Sequence, residues 1–250
     1  MINIDRPKQS PVSLQTQAIK DYLDELDAWE NDITLPKPEP KPSYRNSDLM
    51  EAFDKHFFAK CYLTEKKFTN SYQMDVEHFF PKNEYPKLRY EWTNLYPADH
   101  DANMMKPRKM PKGGYLDPCN VSDDVENTII YKYNSVYRHD SENQTCSFTA
   151  RDSTNLKAVN TAVLLDRLHN GHNEESILKT DGLRFALFKR NKKIIEMITA
   201  WQKAGKENNQ DEEVRLSQNL KRHLSRTASF TMLMRSTEIV KTYVPKDLLD

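Results

Sequence analysis

The stretch Asp75-Val76-Glu77-His78-Phe79-Phe80-Pro81-Lys82 decides how this chain is read. Glu77 stands directly before His78, and Pro81 follows three residues after it. That is unusual punctuation for a strand that only fills a core. Two downstream pieces, Trp92-Thr93-Asn94-Leu95 and Asn103-Met104-Met105-Lys106, complete a spaced set of His78, Asn94 and Asn103. These residue types suit phosphodiester hydrolysis. A neutral histidine can act as general base towards water. Glu77 and Asn103 offer oxygen ligands for a hard cation such as Mg²⁺ or Mn²⁺. Asp75 lies two residues before Glu77 and on a strand would share its face, so it joins the candidate ligands.

The surrounding composition limits what this set can serve. The chain has 250 residues, 37% of them hydrophobic and 30% charged. Its mean hydropathy is −0.85, which points to helices with wide solvated faces. Thirty-seven basic residues balance thirty-seven acidic ones. A net charge of zero gives no global attraction to nucleic acid, so any such contact needs local patches. One runs from Lys106 through Arg108 and Lys109 to Lys112 without an acid. A second, Arg184 to Lys193, reads equally well as a solvated helix face. Three cysteines, Cys61, Cys119 and Cys146, are too few for a disulfide framework. No segment reads as a signal peptide or a membrane span. A cytoplasmic protein with reduced thiols is therefore expected, and the triplets Asn120-Val121-Ser122 and Asn143-Gln144-Thr145 read as chance matches to a glycosylation signal.

Periodicity predicts an amphipathic helix over Ser13 to Glu30, with Ser13 as its N-cap. The alternating prolines of Leu35 to Pro42 forbid helix and sheet ladders and favour an extended spacer. A second helix is expected from Asp48 to about Lys60, with Leu49, Phe53, Phe57 and Phe58 inward. Thr128 to Tyr133 and Cys146 to Thr149 read as short strands. From Asn155 helical signals dominate. Leu156, Val159, Ala162, Val163 and Leu165 form one expected apolar face, and Phe185 to Trp201 a broader one. Glu207 to Glu213 reads as a loop, and Glu212 to Val240 as a helix broken near Arg226-Thr227. The expected division is residues 1–30 as an N-terminal amphipathic helix, 31–45 as linker, 46–150 as the chemical core and 151–250 as a helical region.

The core, Cys61 to Cys119, resembles an HNH endonuclease of the ββα-metal type. More narrowly, it is similar to the HNH nucleases of Septu-type and retron-associated anti-phage systems. The resemblance rests on the stretch around His78, on Tyr90-Glu91-Trp92-Thr93-Asn94-Leu95-Tyr96-Pro97, on Asn103 to Lys106 and on Leu116-Asp117-Pro118-Cys119. The segment Asn160 to Leu168 adds an echo. It implies an α+β fold, mostly α overall, with helical extensions on a ββα core. It implies His78 as the general base, Asn94 as the brace that orients it, and Glu77 and Asn103 as ligands of one Mg²⁺ or Mn²⁺. Lys82, Lys106, Arg108 and Lys109 become candidate phosphate contacts. It also implies a nucleic-acid target, DNA ahead of RNA, and a controlling ATPase partner of the ABC type. The tethered first helix and the C-terminal helices are then the expected docking surfaces.

One departure is plain. Relatives carry two Cys-x-x-Cys pairs that bind a structural zinc. Here those positions are Cys61, Thr64, Asp99 and Ala102, so no structural zinc is expected. Tyr62, Leu63, Phe68 and Trp92 are expected to hold this knuckle by packing instead. His169 and His172 have a His-x-x-His spacing that leaves a second metal site open, and the Asn-Gly between them reads as a turn. Two other readings of the core are an RNase on the same fold and an idle interaction module that kept the shape.

Overall fold

A computed structural model describes residues 1–40, 43–134 and 145–249; the end of the proline spacer and most of the Asn143-Gln144-Thr145 triplet lie outside the described residues. The architecture is α+β, with two small antiparallel sheets set among helices.

The first sheet carries the candidate residues Asp75, Glu77 and His78. Strand β1 (Asp75–His78) pairs with β2 (Leu95–Ala98) in the register Asp75↔Ala98, Glu77↔Tyr96 and His78↔Leu95. Helix α3 (His100–Met105) follows at once, because Asp99 accepts from the Asp101 amide at 3.1 Å and caps its first turn. The order is strand, strand, helix, and Asn103 rides on that helix. Leu95, Tyr96 and Ala98 of β2 are fully buried. They meet Trp92 and the apolar face of α2 (Ser47–His56), where Phe53 stacks on Trp92 and Phe57 meets Tyr96 edge-on. Helix α2 stops short of the expected Lys60. Phe58 and Ala59 both take left-handed backbone angles, turning the chain so that Lys60 bridges to Lys67.

The first helix, α1 (Gln17–Asn31), also starts later than its periodicity suggests. Ser13 does not cap it. Its amide and hydroxyl both bond Asp48, at 2.9 and 2.6 Å, tying this segment to α2. The buried face of α1 is Ile19, Tyr22 and Leu26, which packs on Tyr90 apart from the main core. Lys87 adds ion pairs to Asp27 and Glu30 at 2.6 and 2.7 Å. So α1 docks on its own chain, beside the segment that joins β1 to β2.

Strands β3 (Ile129–Tyr133) and β4 (Cys146–Ala150) form the second sheet, where expected, after the short helix α4 (Val125–Thr128). Helix α5 (Leu156–Asn170) packs on β4. Its buried face differs from the expected one: Ala158, Leu164, Leu165 and Leu168 turn inward with Ala162, whereas Leu156 and Val163 are exposed. The apolar residues on α5 span more than one face, and the position of β4 chooses among them. Gly171 ends this helix with φ +74°, and a Cβ there would lie 2.6 Å from the Ile177 amide nitrogen. The chain then enters α6 (Glu174–Lys206), whose first turn is closed by a capping box between Asn173 and Ser176. Along α6, Leu187, Ile194 and Ile198 are buried, Trp201 is half-buried and Phe185 is exposed. The basic run on it is divided: Arg184 is buried and Arg190 donates to the His223 carbonyl, whereas Lys189, Lys192 and Lys193 are exposed.

Only 207–209 separate α6 from α7 (Gln210–Leu224), so the expected loop to Glu213 is shorter. Asn209 caps α7 through the Glu212 amide, with acids in the first turn and bases in the last. The expected break at Arg226-Thr227 falls between α7 and α8 (Thr231–Arg235), and α9 (Glu238–Tyr243) follows. One cluster of buried side chains runs from Met1, Ile2 and Ile4 to Val240 and Val244, across the expected divisions of the chain. Among the described residues no helix is long and apolar enough to cross a membrane.

Arg6 stitches the N-terminal segment to the first sheet. Its guanidinium lies 4.1 Å from the Tyr96 ring centre and 4.7 Å from that of Trp92, and it donates to the Trp92 and Leu95 carbonyls. Arg6→Ala should lower stability by about 2 kcal/mol, read as a lower urea midpoint with an unchanged slope. A second expectation concerns acid. Burial pushes His169, packed in α5, down from 6.5 to about 4, against the opposing bond to the Leu165 carbonyl. The unfolded chain therefore binds the extra proton first, and stability present above pH 6.5 is lost as the pH falls towards 4. Urea titrations across that range should show the loss; stability flat down to pH 4 would contradict it.

Candidate active site

The end of β1, the segment after it, the end of α3 and the residues just beyond that helix enclose a cleft of about 310 Å³. Glu77, His78, Lys82, Asn83, Asn103, Lys106 and Arg108 are among its lining residues.

His78 is the last residue of β1 and is 8% exposed. Its Nε2 sits 3.0 Å from the Arg89 carbonyl. A carbonyl only accepts, so Nε2 carries the hydrogen and Nδ1 keeps the lone pair. Burial pushes the His78 pKa down to about 4; the bond to the Arg89 carbonyl opposes this, and the charges of Lys82, Arg89 and Lys106 add to it. The ring is thus neutral at neutral pH, the form a base needs. Tyr44 packs edge-on against it, with ring centres 5.3 Å apart.

Asn94 closes the frame around that ring. Its Oδ1 accepts from the Phe80 amide at 2.6 Å, and its Nδ2 donates to the Phe80 carbonyl at 3.1 Å and the Leu88 carbonyl at 3.0 Å. Its own carbonyl accepts from the Phe79 amide at 2.9 Å. One buried amide therefore ties the residues just after His78 to the residue just before Arg89, which holds His78 from the other side.

Glu77 and Lys106 form the second feature. Glu77 is 5% exposed, and Lys106, the C-cap of α3, is 8% exposed. The Lys106 ammonium pairs with Glu77 Oε1 and donates to the His78 and Phe79 carbonyls at 3.2 and 3.1 Å. Tyr62 donates its hydroxyl to Glu77 Oε2 at 2.7 Å. Lys106 does not extend into solvent as a free phosphate contact, as its spacing from Asn103 suggests. It turns back because the buried Glu77 carboxylate on β1 lies within reach of the end of α3.

Asp75 is half-buried and, as its place two residues before Glu77 suggests, turns with it towards α3. Its Oδ2 receives the Asn103 Nδ2 at 3.0 Å and the His100 Nδ1 at 2.9 Å, and this contact raises the His100 pKa. Lys82 and Arg108 line the cleft, while Lys109 is exposed beyond the lining residues. With Glu77 neutralised by Lys106 and His78 uncharged, the cleft presents a net positive lining, which suits an anion.

The donors do not suit a divalent cation as they stand. Both Glu77 oxygens are engaged, one by an ammonium, and the Asp75 oxygen nearest Asn103 is engaged by that amide. Among the described residues no group of three or more His, Cys, Asp or Glu side chains is placed to hold a metal ion.

The knuckle positions do come together. Cys61 Sγ accepts from the Thr64 amide at 3.5 Å, and Lys66 pairs with Asp99 across the turn. Tyr62, Leu63 and Trp92 are buried there and Phe68 is half-buried. Asp117 accepts from the Tyr96 hydroxyl, and Thr161 on α5 accepts from the Leu116 amide at 2.8 Å. Those contacts place the two remaining pieces of the sequence pattern against β2. His169 and His172 do not converge: one is buried and donates to the Leu165 carbonyl, the other meets Ser176 at the start of α6. Burial pushes the Cys119 thiol up to about 11 and raises that of Cys146, so both are poor nucleophiles.

Sequence reasoning named Tyr62 only as a packing residue and left Arg89 out. No local pattern marks a tyrosine fifteen residues upstream of its carboxylate partner. Arg89 acts through its backbone, to which side-chain identity is blind. No family model, curated protein or solved structure matches the chain.

Asn94→Ala should leave the buried Phe80 amide unpaired. A loss of about 1–3 kcal/mol is expected in urea unfolding. The His78 ring should also loosen, read as a rise of its NMR-titrated pKa from about 4 towards 6.5.

Proposed function

We propose that this protein is an HNH-type endonuclease that hydrolyses phosphodiester bonds of nucleic acid, with DNA as the target. The observation that carries the proposal is His78: buried, neutral and held at Nε2, with Nδ1 left as the base, at a cleft lined by Lys82 and Arg108. The strand-strand-helix order and the Asn94 brace support it, since both follow from the same spaced residues. In this reading Lys82 and Arg108 hold the phosphate backbone. His78 Nδ1 takes a proton from water, and the resulting hydroxide attacks phosphorus on the side opposite the leaving oxygen. Asn103 lies at the cleft wall, within reach of the same phosphate.

Mg²⁺ or Mn²⁺ is the proposed cofactor, on the resemblance of the sequence alone. Its use of Glu77 requires the Lys106 pair to open. The proposed setting is an anti-phage complex with an ABC-type ATPase, and this too rests on the resemblance. A zero net charge fits a nuclease that does not engage nucleic acid freely by itself.

The test is cleavage of supercoiled plasmid and of total RNA with Mg²⁺ or Mn²⁺, with and without an ATPase partner. Wild-type cleavage should fall by about 10²–10⁴ in His78→Ala, as for loss of a general base. Cleavage of RNA alone would move the target to RNA, and no cleavage under any condition would leave the idle module. The pH profile gives a separate check. With the folded His78 pKa near 4, its protonation should not limit kcat/KM above about pH 5; an acid limb near 6.5 would show a solvent-exposed base instead.

A further inference from the structure

The turn that follows β1 puts two aromatic rings beside the cations of the cleft. The Pro81 carbonyl accepts from the Glu84 and Tyr85 amides at 3.0 and 2.9 Å, which closes the turn. Its first half, Pro81 to Asn83, lines the cleft. Phe80 and Tyr85 stand at its two ends, both exposed, with ring centres 5.3 Å apart and ring planes at 63°. Phe80 also meets the buried Phe79 ring edge-on at 5.3 Å, and Asn94 holds both its backbone amide and its carbonyl. The pair is thus fixed before anything binds, which lowers the ordering cost of a contact. A single exposed hydrophobe is ordinary. Two packed rings on a braced turn at the rim of a charged cleft are a more specific arrangement.

The cations stand close by. Lys82 lies on the same turn, and Arg108 joins the lining from beyond α3; among the described residues neither has a carboxylate partner. Glu84, the acid of the turn, is exposed and is not among the lining residues. Charge for a phosphate and ring surface for a base therefore occur side by side. In a duplex the base faces are hidden in the stack, so such rings serve only an unpaired base. The cleft volume, about 310 Å³, gives room for a nucleotide rather than for a stiff duplex.

We propose that Phe80 and Tyr85 form a stacking platform and that this cleft takes a single strand of nucleic acid. Lys82 and Arg108 hold its phosphates, and the rings hold the adjoining base. The two aromatic residues then select an unpaired strand over a duplex. Cleavage of that strand rests on the nuclease reading, whereas binding of it does not. DNA and RNA strands present the same phosphates and base faces, so the experiment carries both.

The test is fluorescence anisotropy of the full chain with labelled oligonucleotides of about a dozen nucleotides. It is run in EDTA, so that metal-dependent cleavage does not disturb the readout. The four probes are a DNA strand, the same strand as RNA, its DNA duplex and a DNA strand with abasic sites in place of bases. The intact strand should bind at least about tenfold more tightly than the duplex. Phe80→Leu and Tyr85→Leu keep apolar bulk and remove the ring. Each should weaken binding of the intact strand about five- to a hundredfold, for the loss of one stacked base, and leave the duplex and the abasic strand unchanged. Phe80→Trp should keep full binding. Lys82→Ala should weaken all four probes alike, as loss of a phosphate contact does. The tighter of DNA and RNA names the strand, and either order supports the platform. A duplex bound as tightly as the strand, no binding of any strand, or a loss in the leucine variants that the abasic strand shares would overturn it.

The two readings fail separately. Strand binding without cleavage under any condition removes the nuclease and keeps the platform. Cleavage undiminished in Phe80→Leu and Tyr85→Leu removes the platform and keeps the nuclease.

Discussion

A carboxylate buried at the end of a two-stranded sheet must find partners, and the way Glu77 finds them organises this site. An unpaired ion at that depth would cost several kcal/mol. Lys106 comes to it from the end of α3 and Tyr62 from the segment that bonds to the Pro97 carbonyl. The pair therefore ties helix, sheet and knuckle at one point. It also sets the charge of the cleft, because neutralising Glu77 leaves Lys82 and Arg108 to define the lining.

His78 depends on the same arrangement by proximity and on Asn94 by geometry. The Lys106 ammonium bonds the His78 carbonyl, while Asn94 ties Phe80, just after His78, to Leu88, just before Arg89. Backbone and ring are thus held by different groups. This division matters because a base must keep its lone pair aimed while remaining uncharged, and burial alone secures only the second condition. The edge of Tyr44 packs on one side of the ring, and Tyr44 packs in turn against Tyr90 and the cluster that α1 forms with it.

The absence of the cysteine pairs expected of relatives is met by ordinary means. Cys61 accepts a backbone hydrogen bond, Lys66 pairs with Asp99, and aromatic packing around Tyr62 and Trp92 fills the space. Together these contacts fix the turn, though each is individually weak. Arg6, inserted between Tyr96 and Trp92, adds a further tie.

Much of this was legible from the chain. The strand at Ile129 to Tyr133 and the break after α7 follow from local pattern, because period and turn residues act over a few positions, whereas the strand ending at His78 and the helix carrying Asn103 were expected from the resemblance. A bracing role for Asn94 was implied by the resemblance, and its bonds to Phe80 and Leu88 fit that role. Other features had no local signal. The inward face of α5 was decided by β4, since its apolar residues allowed more than one choice. Ser13 left its helix for Asp48, and Lys106 turned from solvent to Glu77. The sequence by itself determined which residues could do chemistry and how far apart they stood along the chain. Only the tertiary structure decided which of them were already paired, because pairing depends on burial, and burial is set by elements distant in sequence.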